Sequence, residues 1–148
     1  HCHAPGLSHH YRCLGIGEQL LPLAEIPKCY LVVVKPDVGV STPEAYRACD
    51  NVPDGGMRYT PGMVRAVEHR SIEEIANALG NRFDDALQIS VVQEIKKYLC
   101  ENGALNALMT GSGSAVFGIF SEKSLAVNAA KRMPKAFGAC FLAEPVNG

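Results

Sequence analysis

The chain has 148 residues, of which 47% are apolar and 20% are charged, and its formal net charge is -1. A chain of this length normally forms one domain with a substantial hydrophobic core. The balanced charge argues against non-specific binding to nucleic acid, which needs a basic excess. No apolar stretch reaches the roughly 20 residues of a membrane span and no secretory signal pattern opens the chain, so we expect a cytoplasmic protein.

The first residues differ from the rest in composition. Residues 1 to 13, HCHAPGLSHHYRC, hold four of the five histidines. Such a segment could bind a metal, but a His-x-His pair without a second matched pair is a weak zinc signal. We therefore predict no metal site, a disordered lead-in over residues 1 to 13, and a single domain over residues 14 to 148.

Six cysteines are scattered along the chain and form no Cys-x-x-Cys pair. Three of them, Cys29, Cys49 and Cys140, lie inside apolar segments. This pattern favours buried free thiols in a reducing compartment over a disulfide framework.

The first two thirds of the chain predict one strand followed by helices. The run KCYLVVVK, residues 28 to 35, indicates a strand buried on both faces and ended by a proline. Helices are predicted over about 42–49 and 71–80 from capping boxes, and over about 84–102 from apolar residues that step by four. The segment 51–62 is rich in Pro and Gly, which is typical of a loop.

The last third predicts strands at 105–109, 115–120 and 138–143, with a helix at 121–135. The short connection between the first two makes them antiparallel neighbours. Together with the strand at 28–35 they predict an α+β fold: a ferredoxin-like sandwich whose four-stranded antiparallel sheet carries helices on one face.

The loop between the strands at 105–109 and 115–120 contains Thr110, Gly111, Ser112 and Gly113 in consecutive places. Glycines tolerate positive φ and let another surface approach the backbone. Successive amide N–H groups can then point at one place, which suits an anion such as phosphate. The glycines alone nevertheless favour a simpler interpretation, a tight hairpin turn without a ligand.

The wider sequence resembles the GHMP kinases, the family of galactokinase, homoserine kinase and mevalonate kinase. The segment LNALMTGSGSAVFGIF, 105–120, is similar to their third motif. The segment LGIGEQLLPLAEIPKCYLVVVKPDVGVSTPEAY, 14–46, is similar to the 4-diphosphocytidyl-2-C-methyl-D-erythritol kinases of the non-mevalonate isoprenoid route, and NRFDDA, 81–86, is imperfectly similar to their Asn-Asp-Leu-Glu segment. The resemblance covers about residues 14–146 and implies the C-terminal, substrate-side domain of such a kinase.

The resemblance implies substrate-binding roles at both ends of a pocket. The loop from Thr110 to Gly113 would lie against the acceptor and the transferred phosphate. Tyr46 would stack on the cytosine ring, which is worth roughly 1–3 kcal/mol per base, and Thr42 would line the same pocket. Without the resemblance, Tyr46 would be interpreted as a core residue of an amphipathic helix.

Parts of the family pattern do not occur in the chain. They are the ATP loop Pro-x-x-x-Gly-Leu-Gly-Ser-Ser, the N-terminal lysine and the Gly-Ala-Asp segment with the catalytic aspartate. The resemblance thus implies ATP and Mg²⁺ as cofactors of an intact enzyme that phosphorylates the 2-hydroxyl of its cytidine-diphosphate-linked methylerythritol substrate. For this chain alone we expect no catalytic residue, no bound cofactor and no turnover.

Partners follow from the same implication. The missing N-terminal kinase domain would be the natural partner of this chain. A half-enzyme would also expose apolar strand surface such as Tyr30 to Val34, so we expect self-association. No nucleic acid or membrane partner is predicted.

Three other interpretations stay open. The chain could be the C-terminal half of another GHMP kinase such as homoserine kinase, although the constellation from Lys35 to Tyr46 argues against it. It could be a stand-alone ferredoxin-like small-molecule-binding module; RNA binding would need a basic surround that its strands lack. It could be a thiol enzyme using Cys100 or Cys140, but both are predicted to be buried and therefore unreactive.

Overall fold

The structure is a computed structural model that describes residues 10–14, 16–50, 52 and 59–145. In chain order, its elements are β1 (Tyr11–Leu14), β2 (Gln19–Pro22), β3 (Tyr30–Lys35), α1 (Thr42–Asp50), α2 (Thr60–Glu68), α3 (Ile72–Asn77), α4 (Arg82–Leu87), α5 (Ser90–Glu101), β4 (Asn106–Met109), β5 (Val116–Phe120), α6 (Lys123–Lys131), a 3₁₀ turn (Lys135–Phe137) and β6 (Ala139–Ala143).

Four of the strands form one sheet in the order β4-β5-β3-β6, and every neighbouring pair is antiparallel. Val33 of β3 pairs with Phe117 on one side and with Phe141 on the other. The predicted four-stranded antiparallel sheet of the α+β fold is therefore confirmed. The remaining strands, β1 and β2, form a separate antiparallel hairpin.

The main core lies between the sheet and the helices α5 and α6. Alternate residues of β3 and β5 point into it because side chains of a strand alternate between its two faces. Fully buried members from the sheet and from both helices are Val32, Val34, Val92, Ile95, Leu99, Val116, Phe120 and Ala126. This is the predicted layer of helices on one face.

The structure adds a smaller layer on the opposite face. Helices α2 and α3 contribute Val67, Ile72 and Ile75 to a second cluster, which packs on Ile119 of β5. The Asn106 side chain donates to the Ala76 carbonyl oxygen at 2.7 Å and so ties α3 to the start of β4. The sheet is thus covered by helices on both sides, more extensively on the α5–α6 side.

Several predicted boundaries were wrong. The predicted helix 84–102 is two helices, because Gln88 adopts a left-handed conformation with φ of 45° between α4 and α5. The end of the segment 51–62, predicted as a loop, is helical from Thr60. The lead-in predicted to be disordered over 1–13 includes strand residues Tyr11 to Cys13, while residues 1–9 lie outside the described part.

Strand β3 does not expose the apolar surface that was expected of it. Val32 and Val34 are fully buried, and Leu31 packs against the second cluster. Exposed large apolar side chains lie instead on the hairpin and on the edge strand β6, at Leu20, Leu21, Phe141 and Leu142. Self-association stays a prediction, and these two surfaces would be its sites. No helix in the described part of the chain is long and apolar enough to cross a membrane.

Candidate functional site

The predicted site residues meet at one end of the sheet. There the β4–β5 loop lies beside the start of α1, and the hydroxyl oxygens of Thr42 and Ser112 are 3.4 Å apart. This contact places Thr42 beside the glycine loop, although Thr42 and Ser112 are 70 residues apart in sequence. Thr42 and Gly111 are exposed, so this end of the sheet is open to solvent.

The loop is closed by two backbone hydrogen bonds. The Thr110 N–H donates to the Ala115 carbonyl at 2.8 Å, and the Gly113 N–H donates to the Thr110 carbonyl at 3.1 Å. The amides of Gly111 and Ser112 donate to no acceptor among the residues that the structure describes. Gly111 is exposed and Ser112 is half-buried, and two successive amides without a partner suit a backbone anion site.

Both glycines of the loop have a conformation that favours glycine. Gly111 has φ of 57° and Gly113 has φ of 95°. A Cβ atom on Gly113 would also lie 2.6 Å from the Met109 sulfur, so the Met109 side chain would have to shift to make room for it. The backbone conformation of the loop therefore requires these glycines, whether or not a ligand binds.

Tyr46 lies one helical turn after Thr42 and therefore on the same face of α1. Its side chain is 61% exposed, so it is not the core residue that its helix pattern suggested. Its ring packs against the ring of Phe83 of α4 in a T-shaped arrangement, with ring centroids 5.1 Å apart and planes at 87°. The exposed part of the ring remains accessible to a planar ligand.

A lysine and a buried serine connect the loop to β3. The Lys35 ammonium donates to the Ser114 hydroxyl oxygen at 3.1 Å and to the Pro36 carbonyl at 2.7 Å. Ser114 is buried, and its hydroxyl donates to the Val38 carbonyl. Lys35 therefore places a positive charge beside the glycine loop, a feature that the sequence motif contained but that was not assigned a role.

Asn81 is a second residue that sequence analysis did not single out. Its side-chain amide donates to the carbonyls of Met109 and Gly111 at 2.7 and 2.9 Å. Asn81 belongs to the segment NRFDDA, and the resemblance of this segment to the family could have drawn attention to it. The resemblance alone did not show which residues Asn81 contacts.

The described residues form no cluster that could hold a metal ion without further ligands. Within the described ranges, no three His, Cys, Asp or Glu side chains gather closely enough to hold a metal ion. The buried carboxylate of Asp84 is already engaged by Lys96 at 2.7 Å and by Gln93 at 3.0 Å. No described side chain is therefore assigned to Mg²⁺.

The thiols do not support the thiol-enzyme interpretation. Five cysteines are described and unpaired; Cys29 and Cys49 are buried as predicted, and Cys140 is half-buried. Cys100 is exposed, so its predicted burial was wrong. Partial desolvation nevertheless raises the pKa of the Cys100 thiol, an effect that nearby Lys96 opposes. A raised pKa lowers the thiolate population that a nucleophile needs.

A cavity of about 330 Å³ lies elsewhere, between the β1–β2 hairpin, helix α2 and residues 78–80, which follow α3. Apolar and aromatic side chains, including those of Leu23, Tyr59 and Met63, form much of its lining. It includes none of the predicted substrate-binding residues, so the cavity and the candidate site are separate.

Comparison with known proteins identifies the family. Residues 63–139, about half of the chain, match the family model described as GHMP kinases C terminal. The chain belongs to this family of GHMP kinase C-terminal domains. The matched segment includes the glycine loop and Asn81, although the hairpin and α1 lie before it.

Curated relatives of this GHMP kinase domain are named 4-diphosphocytidyl-2-C-methyl-D-erythritol kinase. The one from Caldicellulosiruptor bescii is 37% identical over 123 residues, which are 82% of this chain and 43% of the relative. The one from Pelotomaculum thermopropionicum is 42% identical over 120 residues, 80% of this chain and 42% of the relative. The chain thus spans about two fifths of the length of these relatives.

Solved structures confirm the fold of the domain. A 4-(cytidine 5'-diphospho)-2C-methyl-D-erythritol kinase matches 90% of this chain and 48% of its own with a TM-score of 0.67 at 28% identity. Homoserine kinase from Cytophaga hutchinsonii matches 86% of this chain and 44% of its own with a TM-score of 0.69 at 18% identity. At that lower identity the likeness shows the fold alone.

Proposed function

We propose that this chain is the substrate-side domain of a kinase that uses ATP to phosphorylate the 2-hydroxyl of 4-diphosphocytidyl-2-C-methyl-D-erythritol. The observation that carries the proposal is the arrangement on one surface of two unpartnered loop amides, Thr42 and the exposed ring of Tyr46. The names of the curated relatives support the same substrate. An exposed aromatic ring suits a cytosine base better than it suits homoserine.

In this proposal the domain works by holding the acceptor. Tyr46 stacks on the cytosine ring. The amides of Gly111 and Ser112 and the positive charge of Lys35 bind the phosphorylated, polar end of the substrate. Positioning an acceptor hydroxyl accounts for much of the rate of phosphoryl transfer, because the reaction otherwise has to align two molecules.

ATP and Mg²⁺ belong, in this proposal, to the intact enzyme. The domain supplies no described cluster of metal-binding side chains, and the chain lacks the glycine loop that the family uses for ATP. When bound, the nucleotide supplies the phosphoryl group and the metal neutralises its charge. The residues of this chain bind and orient the acceptor.

The first test concerns Tyr46. Replacing it with alanine should weaken the binding of cytidine 5'-diphosphate by roughly tenfold or more, because a stacked base contributes about 1–3 kcal/mol. Tyr46→Phe should bind nearly as well as the original chain. Isothermal titration calorimetry would measure both affinities.

Tyr11→Ala is a matched control, since Tyr11 is also exposed but lies on the hairpin strand β1. It should leave the affinity unchanged. Equal binding by the original chain and by Tyr46→Ala would reject the stacking role.

The second test concerns turnover. This chain, incubated alone with ATP, Mg²⁺ and the cytidyl substrate, should produce no ADP above background in a coupled assay. Adding the N-terminal domain of a similar kinase, or fusing that domain to the chain, should restore turnover if the two parts associate. Robust turnover by the 148-residue chain alone would contradict the assignment of catalysis to the rest of the enzyme.

A further inference from the structure

The side-chain oxygen and the side-chain nitrogen of Asn81 both form hydrogen bonds at the edge of the candidate site. Its Oδ1 accepts from the Phe83 N–H at 2.9 Å and so caps the N-terminus of α4. Its Nδ2 donates one N–H to the Met109 carbonyl and the other to the Gly111 carbonyl. A side-chain amide has two such donors. The single residue Asn81 therefore connects α4 to the end of β4 at Met109 and to the glycine loop at Gly111.

The contact with Gly111 determines where the next amide points. A peptide unit is planar and trans, so its C=O and N–H groups point in opposite directions. Because the Gly111 carbonyl faces Asn81, the Ser112 N–H of the same peptide unit faces away from Asn81. This is one of the two amides that find no acceptor in the described part of the chain.

The position of Gly111 depends on this contact because little else constrains that residue. Its backbone is closed by two hydrogen bonds of its own, and its two glycines have access to more conformations than other residues. Gly111 is exposed, and a Cβ atom there would meet nothing within 4 Å. Packing therefore does not hold this residue in place, whereas the Asn81 hydrogen bond does.

The same short helix also contacts the other end of the site. The Arg82 guanidinium donates to the Cys49 carbonyl at 2.9 Å, near the end of α1. Phe83 forms a T-shaped ring contact with Tyr46. Residues 81 to 83 thus lie between the glycine loop and α1 and touch both.

We propose that Asn81 is a positioning residue that aims the Ser112 amide at the bound substrate, and that α4 sets the separation between this amide and Tyr46. The identity of the substrate rests on the function proposed above. The control of the loop by Asn81 does not, because it can be measured without any ligand.

Asn81→Asp separates the two functions of the side chain. Aspartate is as good an N-cap as asparagine, so α4 should be retained, but both donors to the loop are lost and a carboxylate faces two carbonyls. Hydrogen exchange of the Thr110 and Gly113 amides, followed by NMR without ligand, should accelerate about tenfold or more relative to the amides of α5, which is a loss of about 1.4 kcal/mol of local protection.

Binding should change selectively. The affinity of Asn81→Asp for 4-diphosphocytidyl-2-C-methyl-D-erythritol should fall about tenfold, while its affinity for cytidine, which carries no phosphate and would be held through Tyr46, should change less than twofold. Asn81→Ser keeps a capping oxygen without adding charge. It should show the same loosening of the loop, which distinguishes lost positioning from simple charge repulsion.

Asn106→Asp is the matched control. Asn106 also donates its amide to a backbone carbonyl, that of Ala76, and accepts from a backbone N–H, that of Ala107. It lies at the opposite end of β4 from the loop. This variant should lose some overall stability but leave exchange in the loop unchanged relative to α5.

Unchanged loop exchange in both Asn81→Asp and Asn81→Ser would overturn the inference, even if the original chain binds the substrate. Faster loop exchange in a chain that binds neither cytidyl ligand would support the positioning role and reject the proposed function. Equal loosening of the loop by Asn106→Asp would also overturn the inference, since the effect would then not be local to Asn81.

Discussion

Gly138→Ala should lower the free energy of unfolding by about 3 to 5 kcal/mol, because two costs add. Gly138 has φ of 89° and ψ of -151°, a region that glycine alone occupies readily. An added Cβ atom would overlap the Lys35 carbonyl oxygen and lie 3.0 Å from the Pro36 Cα. Both neighbours are backbone atoms at the end of the central strand β3, so relief requires moving β6 away from β3.

Urea denaturation followed by circular dichroism would measure this loss of stability. Gly39→Ala is the control, because a Cβ atom there meets nothing within 4 Å and its φ lies outside the positive range. It should change the free energy of unfolding by less than about 0.5 kcal/mol. The smallest typical cost of such a backbone conformation is about 1 kcal/mol. If the free energy of unfolding of Gly138→Ala falls by less than this, the prediction is wrong, and β6 can move away from β3 at little cost.

Lys96→Met should destabilise the chain by about 3 kcal/mol, because it leaves the Asp84 carboxylate buried without its cationic partner. Asp84 is only 3% exposed and accepts hydrogen bonds from Lys96, Gln93 and the Met109 N–H. The methionine keeps the apolar stem of the lysine, so the loss comes mainly from the charge. The same unfolding experiment measures it.

The neighbouring Lys97 offers a matched control. It is 76% exposed and pairs loosely with Glu101 at 3.8 Å, so Lys97→Met should cost no more than about 0.5 kcal/mol. Adding Asp84→Asn to Lys96→Met removes the stranded charge as well. The double variant should be more stable than the sum of the two single losses predicts, by about 1 kcal/mol or more. Strict additivity would contradict a coupled pair.

The strands of the last third were predictable because each apolar run is bounded by polar or glycine-rich residues. The strand at 105–109 and the strand at 115–120 were each placed within one residue of β4 and β5. Helix α2 was missed because Pro61 and Gly62 in its first turn resemble loop residues, although proline is compatible with a helix start. The break at Gln88 was missed because the apolar spacing continues across it from Leu87 to Val91.

The candidate site was predictable only in part. The glycine loop and Thr42 were found from motifs, and the structure brings them within hydrogen-bonding range at Ser112. The exposure of Tyr46 could not be derived from the pattern of α1, because the same spacing fits a buried ring. The contacts of Asn81 with Met109 and Gly111 depend on how α4 packs on β4, which local sequence does not specify.

The position of β3 in the sheet has a consequence for how the chain folds. Val32 lies in register between Gly118 and Leu142, so both hydrogen-bonded neighbours of the central strand come from the last third of the chain. During synthesis the apolar run of β3 leaves the ribosome long before either neighbour exists. Pairings so distant in sequence close slowly, so the apolar run of β3 stays without its sheet neighbours until the last third of the chain has been made.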